Sequence, residues 1–162
     1  MGLLDALVGG KVGLAVGERA PDFTLNDQHG EPVTLSSFAG QKCVVLYFYP
    51  KDDTPGCTAE SCSFRDHYAE FTDAGAEVIG VSSDSEASHK AFAEKHRLPF
   101  TLVSDAGGAL RKRYGVPSTL GLLPGRVTFV IDKEGVVRHV FNSQMEATRH
   151  IGEALAVLKR LS

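Results

Sequence analysis

The chain has 162 residues, of which 43% are hydrophobic and 23% are charged, and its formal net charge is -3. This length predicts a single domain over residues 1–162 with a substantial core. Because nucleic acids and anionic membranes favour basic surfaces, we expect neither of them as a partner.

The N-terminal segment, residues 1–17, is apolar, and we predict a short helix or an ordered arm. It lacks the basic stretch that opens a secretory signal, and Ala6 stands where a myristoylation signal has Ser or Thr. The longest apolar run, Cys43 to Tyr49, is far below the roughly 20 residues that cross a bilayer. We therefore expect a cytoplasmic location, although a processed organellar form would leave no trace in this chain.

The elements that follow alternate between strands and helices. Continuous apolar residues predict buried strands, and apolar residues at helical spacing predict helices. The predicted elements are a hairpin (23–25 and 33–35), a strand (43–49), a helix (57–72), a strand (76–82), a helix (85–96), a strand (100–103), a short helix (108–114), a second hairpin (127–132 and 136–141) and a closing helix (146–161). This order predicts an α/β protein with a thioredoxin-like fold and an added N-terminal β-hairpin, in which helices flank a central mixed sheet.

The reactive side chains are concentrated in residues 50–66, PKDDTPGCTAESCSFRD. Cys57 follows a Pro-Gly turn at the predicted start of a helix, where unpaired N–H groups and the helix dipole favour a thiolate. The Thr54 hydroxyl could lie near the sulfur, and Pro50 could shield the pocket from water. These residues suit peroxide chemistry, but they also fit a plain turn and helix cap around an inert cysteine.

A second cysteine, Cys62, lies on the same predicted helix as Cys57. Their Cα atoms would be roughly 8 to 9 Å apart in an intact helix. A disulfide needs about 4.4 to 6.8 Å, so the two could bond only if the first turns unwound. This spacing is compatible with a redox switch, while a buried structural thiol remains an alternative.

The other candidate ligands and thiols favour no further site. We interpret Cys43, at the start of a strand, as a small buried apolar residue. Zinc would require tighter cysteine spacing, and only His67 lies near the two helix cysteines. His89 and His96 are seven residues apart on one predicted helix, and we expect a solvated helix face rather than a ligand pair. We predict no metal and no cofactor.

The segment from Pro50 to Asp66 resembles the active-site signature of the peroxiredoxins, and in particular that of the peroxiredoxin Q group, also called bacterioferritin comigratory proteins. The similarity extends through APDFTL at 20–25, VVLYFYPKDDTPGCT, HKAFAEKHRLPFTLVSD and GRVTFVIDKEGVV at 125–137. It covers nearly the whole chain after about Gly17. The resemblance implies a monomeric, thiol-dependent peroxidase for hydrogen peroxide and alkyl hydroperoxides, recycled by thioredoxin or a glutaredoxin, with a part in antioxidant defence.

The resemblance also implies roles for six residues. Cys57 matches the cysteine that attacks peroxide and becomes a sulfenic acid. Cys62 matches the resolving cysteine, which condenses with that acid to an intramolecular disulfide. Thr54 and Pro50 complete the core motif. Arg126 matches a distant arginine that contacts the sulfur and the peroxide, and Glu60 matches an acidic residue that orients this arginine.

Two other functions fit the same predicted fold. A thioredoxin-type thiol–disulfide oxidoreductase also carries a cysteine at a helix start, but it would need a cysteine where Thr54 stands. A non-enzymatic holdase or binding module needs no reactive cysteine. Turnover of hydrogen peroxide with a thioredoxin recycling system distinguishes the three functions.

Overall fold

A computed structural model describes residues 11–119 and 123–161. The predicted N-terminal helix or arm lies partly outside these ranges. The strands are β1 (Thr24–Asn26), β2 (Pro32–Thr34), β3 (Cys43–Phe48), β4 (Ala76–Ser82), β5 (Thr101–Ser104), β6 (Ser118–Thr119), β7 (Leu123–Pro124), β8 (Val127–Ile131) and β9 (Val137–Asn142). The α-helices are α1 (Pro55–Asp66), α2 (Tyr68–Asp73), α3 (Glu86–His96), α4 (Ala109–Arg113) and α5 (Arg149–Leu161), and short 3-10 helices lie at Leu35–Phe38 and Ala106–Gly108.

The central sheet has five strands in the order β5-β4-β3-β8-β9. Strands β3, β4 and β5 run parallel to one another, whereas β8 is antiparallel to both β3 and β9. Strand β3 therefore lies in the middle of a mixed sheet, and β1 and β2 form the predicted N-terminal hairpin. The thioredoxin-like fold with flanking helices is confirmed.

Strand β3 is buried throughout because a hydrophobic cluster covers each face of the sheet. Alternate side chains enter different clusters. Val45 and Tyr47 pack under α1, α2 and α5, while Leu46 and Phe48 pack with Tyr114 and Phe129 on the opposite face. A continuous apolar run is thus the sequence pattern of a strand with two covered faces.

The segment predicted as one helix over 57–72 forms two helices. The first begins at Pro55, whose fixed φ and missing N–H suit the first helical position, and it ends at Asp66. His67 between the helices has φ -108° and ψ 10°, and its ring nitrogen Nδ1 lies 2.9 Å from the Ser63 carbonyl. The short β6–β7 pair was not predicted, because two-residue strands leave no periodic pattern.

Candidate active site

Cys57 is the third residue of α1, directly beyond the loop that follows β3, and it is fully buried. The Thr54 carbonyl accepts the first helical hydrogen bond, from Thr58 N–H at 2.8 Å. The N–H groups of the first turn have no intrahelical acceptor and concentrate positive potential where the sulfur lies. The fold therefore places the Cys57 sulfur at the positive end of a helix.

Arg126 reaches Cys57 from the residue before β8. Its Nη2 donates to Cys57 Sγ at 3.4 Å, its Nη1 donates to Glu60 Oε1 at 2.6 Å, and its Nε donates to the Gln144 carbonyl at 3.2 Å. Burial lowers the pKa of Arg126, but the charges of Glu60 and Cys57 outweigh burial and raise it. Three hydrogen bonds thus fix the charged guanidinium, and one of them is donated to the sulfur.

Gly56 provides the space for this guanidinium. A Cβ atom at Gly56 would lie 3.0 Å from Arg126 Nη2, closer than ordinary van der Waals contact. Glycine in the first turn of α1 therefore has a steric reason, although a helical backbone does not itself require it.

Glu60 lies one turn after Cys57 and is fully buried. Burial raises its pKa to about 8, although Arg126 opposes this shift. Glu60 Oε1 accepts from Arg126, whereas Oε2 has no hydrogen-bond partner among the described residues. A carboxyl group with this pKa is mostly protonated at pH 7.

His150 on α5 faces the second oxygen of Glu60, with Nδ1 at 3.6 Å from Oε2. Burial lowers the pKa of His150 to about 4, so the imidazole is neutral at pH 7. Nε2 lies 2.9 Å from the Ser143 carbonyl and must carry the hydrogen, because a carbonyl only accepts. Nδ1 then has the lone pair, which accepts from the Thr128 hydroxyl at 2.8 Å.

Thr54 and Pro50 lie in the loop before α1, and both are partly buried. Thr54 Oγ1 donates its hydrogen to the Lys51 carbonyl at 2.9 Å. Its lone pairs consequently remain as acceptors for an O–H group in the pocket. This geometry favours Thr54 as a hydrogen-bond acceptor.

Cys62 lies on the intact helix α1 with Cys57 and is partly exposed, and all three cysteines are free. The middle of α1 is held to β3 by Ser61, whose Oγ lies 2.9 Å from the Tyr47 hydroxyl. The rings of Tyr47 and Phe64 stack at 4.5 Å. The structure therefore shows the dithiol state with the helix docked. Cys43 is also buried, and burial raises its pKa.

Sequence reasoning missed Arg111, which connects the two halves of the site. Arg111 on α4 is buried, and it donates from Nη2 to the Tyr49 carbonyl at 3.0 Å and from Nη1 to the Gly125 carbonyl at 2.9 Å. These carbonyls immediately precede Pro50 and Arg126. One guanidinium thus fixes the spacing of the two segments, and no sequence pattern in this chain distinguishes Arg111 from an ordinary helix arginine.

The expectation of a solvated helix face was wrong for His89. Its ring is fully buried, with Nδ1 2.7 Å from Asp52 Oδ2 and Nε2 3.0 Å from the Val103 carbonyl. Asp52, Asp84 and His89 offer ligand atoms within 4.8 Å of one another, which is close enough for a metal ion. These atoms instead hydrogen-bond within the protein, including to Ser88, and they anchor the loop that leads to Thr54.

A surface cavity of about 390 Å³ lies at the other end of β3, against Val44, Leu35 and Ile131. None of the six predicted site residues lines it. Among the described residues, no helix combines the length and the apolar character needed to cross a membrane.

Comparison with known proteins gives consistent matches. The sequence profile of the AhpC/TSA family matches residues 16–140. "Peroxiredoxin Q, chloroplastic" of Triticum aestivum is 57% identical over 156 residues, which cover 96% of this chain and 70% of that protein. The protein of the same name from Sedum lineare is 58% identical over 146 residues, covering 90% and 78%. These names do not support the expected cytoplasmic location.

Solved structures agree with the sequence matches. Peroxidoxin BcpB of Mycobacterium tuberculosis superposes with a TM-score of 0.85 at 39% identity, covering 92% of this chain and 99% of that one. The bacterioferritin comigratory protein of Xanthomonas campestris, studied for its alkyl peroxide reduction activity, superposes with a TM-score of 0.80 at 35% identity, covering 93% and 99%. The chain therefore belongs to the AhpC/TSA family and, within it, to the peroxiredoxin Q group of thiol-dependent peroxidases.

Proposed function

We propose that Cys57 is the peroxidatic cysteine. The contact that carries this proposal is the hydrogen bond from Arg126 Nη2 to its sulfur in a buried pocket at a helix start. The thiolate attacks one peroxide oxygen, the O–O bond breaks, and the products are a Cys57 sulfenic acid and an alkoxide or hydroxide. The N–H groups of the first turn and Arg126 stabilise the negative charge that develops on the leaving oxygen.

The other predicted residues support this step. Thr54 accepts a hydrogen bond from the peroxide through its free lone pairs, because its own hydrogen is donated to Lys51. Pro50 excludes water from one side of the sulfur. Glu60 fixes the guanidinium of Arg126 through the 2.6 Å contact, so that the remaining Nη2 points at Cys57.

We propose that Cys62 resolves the sulfenic acid by forming a disulfide with Cys57 and releasing water. Because both cysteines lie on α1, the helix must unwind for the bond to form. Unwinding breaks the Ser61–Tyr47 hydrogen bond and separates Glu60 from Arg126. Cys62 is partly exposed, so a protein reductant can reach its sulfur in the disulfide.

A thioredoxin-type reductant, thioredoxin or a glutaredoxin, is the proposed electron donor. Hydrogen peroxide and alkyl hydroperoxides are the proposed substrates. We also propose that the chain is one domain and acts as a monomer. Large exposed apolar side chains in the described ranges are scattered, at Val16, Met145 and Leu161. The plant relatives are named chloroplastic, which favours the organellar form over the cytoplasmic one for this chain.

The test is intact mass after one equivalent of peroxide, followed by alkylation of the remaining thiols. The parent should lose two hydrogens and accept one label, at Cys43. Cys62→Ser should gain one oxygen at Cys57, whereas Cys57→Ser should remain unoxidised. A parent protein that forms only intermolecular disulfides would contradict the role of Cys62. A stable thioredoxin-like exchange activity without peroxide turnover would favour the oxidoreductase alternative.

A further inference from the structure

One oxygen of the buried Glu60 carboxyl group has no hydrogen-bond donor among the described residues. Glu60 Oε1 accepts from Arg126, while Oε2 has no hydrogen-bond partner in the described ranges and faces His150 Nδ1 at 3.6 Å. That nitrogen holds a lone pair, because Nε2–H donates to the Ser143 carbonyl. The lone pair already accepts from the Thr128 hydroxyl, so His150 offers Oε2 no donor. An ionised Oε2 would therefore face this electron density without a compensating hydrogen bond, whereas a neutral carboxyl group avoids the repulsion. Both side chains are fully buried, so water does not solvate the carboxyl group.

The charged and titratable groups that face Glu60 come from four elements. Cys57 shares α1 with it, Arg126 precedes β8, and His150 lies on α5. Tyr47 on β3 is buried, and burial raises its pKa, so it stays neutral. With Arg126 positive, one negative charge balances the pocket. Either the Cys57 thiolate or the Glu60 carboxylate supplies it, and one proton is left for the other group.

We propose that Glu60 stores the proton that Cys57 gives up on forming its thiolate, and that this proton neutralises the leaving oxygen when peroxide is reduced. The inference deepens the proposed role of Cys57 and rests on it. The guanidinium of Arg126 contacts both groups, so it connects the charge on the sulfur with the charge on the carboxylate.

The proton balance closes over one catalytic cycle. The Cys57 thiolate attacks the peroxide to give a sulfenic acid and an alkoxide, and Glu60 protonates the alkoxide to give the alcohol. Glu60 is then a carboxylate paired with Arg126. Condensation of the sulfenic acid with the Cys62 thiol gives the disulfide and water. Reduction by an external dithiol regenerates two thiols, and the Cys57 proton returns to Glu60.

His150 is a positioning residue in this scheme. Its bonds to Ser143 and Thr128 keep Nδ1 without a hydrogen, so no N–H group of the ring is turned towards Glu60 and the carboxylate form is disfavoured. The raised pKa of Glu60 and the lowered pKa of His150 agree with this arrangement, because a neutral imidazole beside a neutral carboxyl group needs no buried ion pair.

Proton uptake during the first step tests the proposal. The Cys62→Ser protein, in which oxidation stops at the sulfenic acid, is mixed with one equivalent of hydrogen peroxide in weakly buffered indicator at pH 7. Thiolate absorbance before mixing shows that Cys57 is ionised, and intact mass afterwards shows one added oxygen. We expect no net proton uptake, because Glu60 supplies the proton. In Glu60→Gln/Cys62→Ser, we expect one proton taken from the medium for each peroxide.

A matched control is Glu77→Gln in the Cys62→Ser background, since Glu77 is a partly buried carboxylate bonded to Tyr68 away from the pocket. It should also take up no proton. Uptake of one proton by the Cys62→Ser protein itself, with thiolate present at the start, overturns the proposal. Absence of the added oxygen overturns the role of Cys57 instead, so the two failures are distinguishable.

Infrared difference spectroscopy gives a second readout that does not depend on the folding of the Gln variant. Oxidation of the Cys62→Ser protein should remove a protonated-carboxyl band and add a carboxylate band, because Glu60 ends the step ionised. His150→Gln, which loses the fixed lone pair, should weaken the initial protonated-carboxyl band. An unchanged carboxyl region on oxidation contradicts proton storage at Glu60.

Discussion

Arg126 contacts Cys57 although 69 positions separate them in the sequence, because the fold brings the two residues together. Strands β3 and β8 are antiparallel neighbours, and Phe48 pairs with Val127. The end of β3 and the start of β8 therefore meet at one edge of the sheet. The loop that leads to the helix of Cys57 follows the end of β3, and Arg126 precedes β8.

We predict that Arg126→Lys lowers the rate of peroxide reduction by about tenfold or more, because an ammonium cannot contact Cys57, Glu60 and the Gln144 carbonyl with one planar group. The thermal unfolding midpoint should change little, since the charge is kept. Stopped-flow peroxide kinetics and thermal unfolding are the measurements. Arg138→Lys is the control and should leave the rate unchanged, since Arg138 is an exposed arginine that pairs with the buried Asp132. An unaltered peroxide rate in Arg126→Lys would remove this residue from the mechanism.

Gly56→Ala should separate activity from stability. The new methyl group would lie 3.0 Å from Arg126 Nη2 and push it from the sulfur, so we expect the peroxide rate to fall. Alanine is favoured over glycine in a helix by up to about 1 kcal/mol, so the free energy of unfolding should hold or rise. Peroxide kinetics and urea unfolding measure the two effects.

Gly152→Ala is the matched control, because nothing lies within 4 Å of a Cβ at Gly152 in α5. This variant should be at least as stable as the parent and equally active. If both glycine variants react with peroxide at the parental rate, the steric explanation of Gly56 is wrong.

Helix α1 has two regions that differ in how they are held. Its first turn carries Cys57 and contacts the rest of the protein through Arg126, whereas Ser61 and Phe64 attach its middle to Tyr47. Unwinding from the first turn to Cys62 must release Ser61, while Phe64 can remain in the core. His67 caps the C-terminus of α1, and α2 begins at the next residue.

Amide hydrogen exchange should detect this local change. We expect amides from about Cys57 to Phe64 to exchange faster in the disulfide form, because their helical hydrogen bonds are broken. Strands β3 and β8 should stay protected in both forms, since they lie in the middle of the sheet. Equal protection of the 57–64 segment in both redox states would require the disulfide to involve Cys43 or a second molecule.

Tyr47→Phe should speed disulfide formation by removing the hydrogen bond to Ser61. One buried hydrogen bond contributes about 1 kcal/mol, so the condensation rate should rise up to about fivefold. Attack on peroxide should be unchanged, because Tyr47 does not contact Cys57 through this hydroxyl. Single-turnover kinetics resolve the two steps. Tyr68→Phe is the control and should alter neither step, since it removes from α2 a hydroxyl that donates to Glu77 on β4.

Local patterns predicted most elements of the fold but not their interruptions. Strand β4 has the predicted bounds, 76–82, because its apolar run is buried on both faces. The break at His67 depends on a hydrogen bond between its ring and the Ser63 carbonyl, which periodicity does not encode. For the site, the motif around Cys57 could be recognised from the local sequence. The contacts of Arg111 and His150 depend on tertiary packing, so only the structure reveals them.

The contribution of Glu60 to the stability of the whole molecule should decrease between about pH 6.5 and 8. Its pKa is raised to about 8 in the fold, so the folded state keeps a proton that the unfolded chain releases at lower pH. Stability from this group is complete at low pH and is lost as pH rises towards 8. The pKa of His150 is lowered to about 4, so its contribution increases with pH below about 6.5 and is constant above it.

Of Glu60 and His150, only Glu60 therefore makes a contribution to stability that changes above pH 6.5. Relative to Glu60→Gln, we expect the free energy of unfolding of the parent to fall by about 1–2 kcal/mol from pH 6.5 to 8, since one proton corresponds to at most about 1.4 kcal/mol per pH unit. Urea unfolding of the reduced protein across this range measures it. This comparison cancels the pH dependence that the proposed Cys57 thiolate gives to both proteins, and parallel profiles in the two would contradict the assignment.

The Arg111 bridge has a consequence for how the enzyme recovers after reduction. When α1 unwinds, Arg111 still joins the Tyr49 and Gly125 carbonyls, neither of which belongs to the helix. The segments that pack against α1 therefore keep their positions while the helix is unwound. On reduction, only the short α1 segment has to refold and pack against them. Helix formation takes about a microsecond, far less than an encounter between two dilute proteins. We expect the cycle to be limited by the abundance of its reductant and not by reassembly of the pocket.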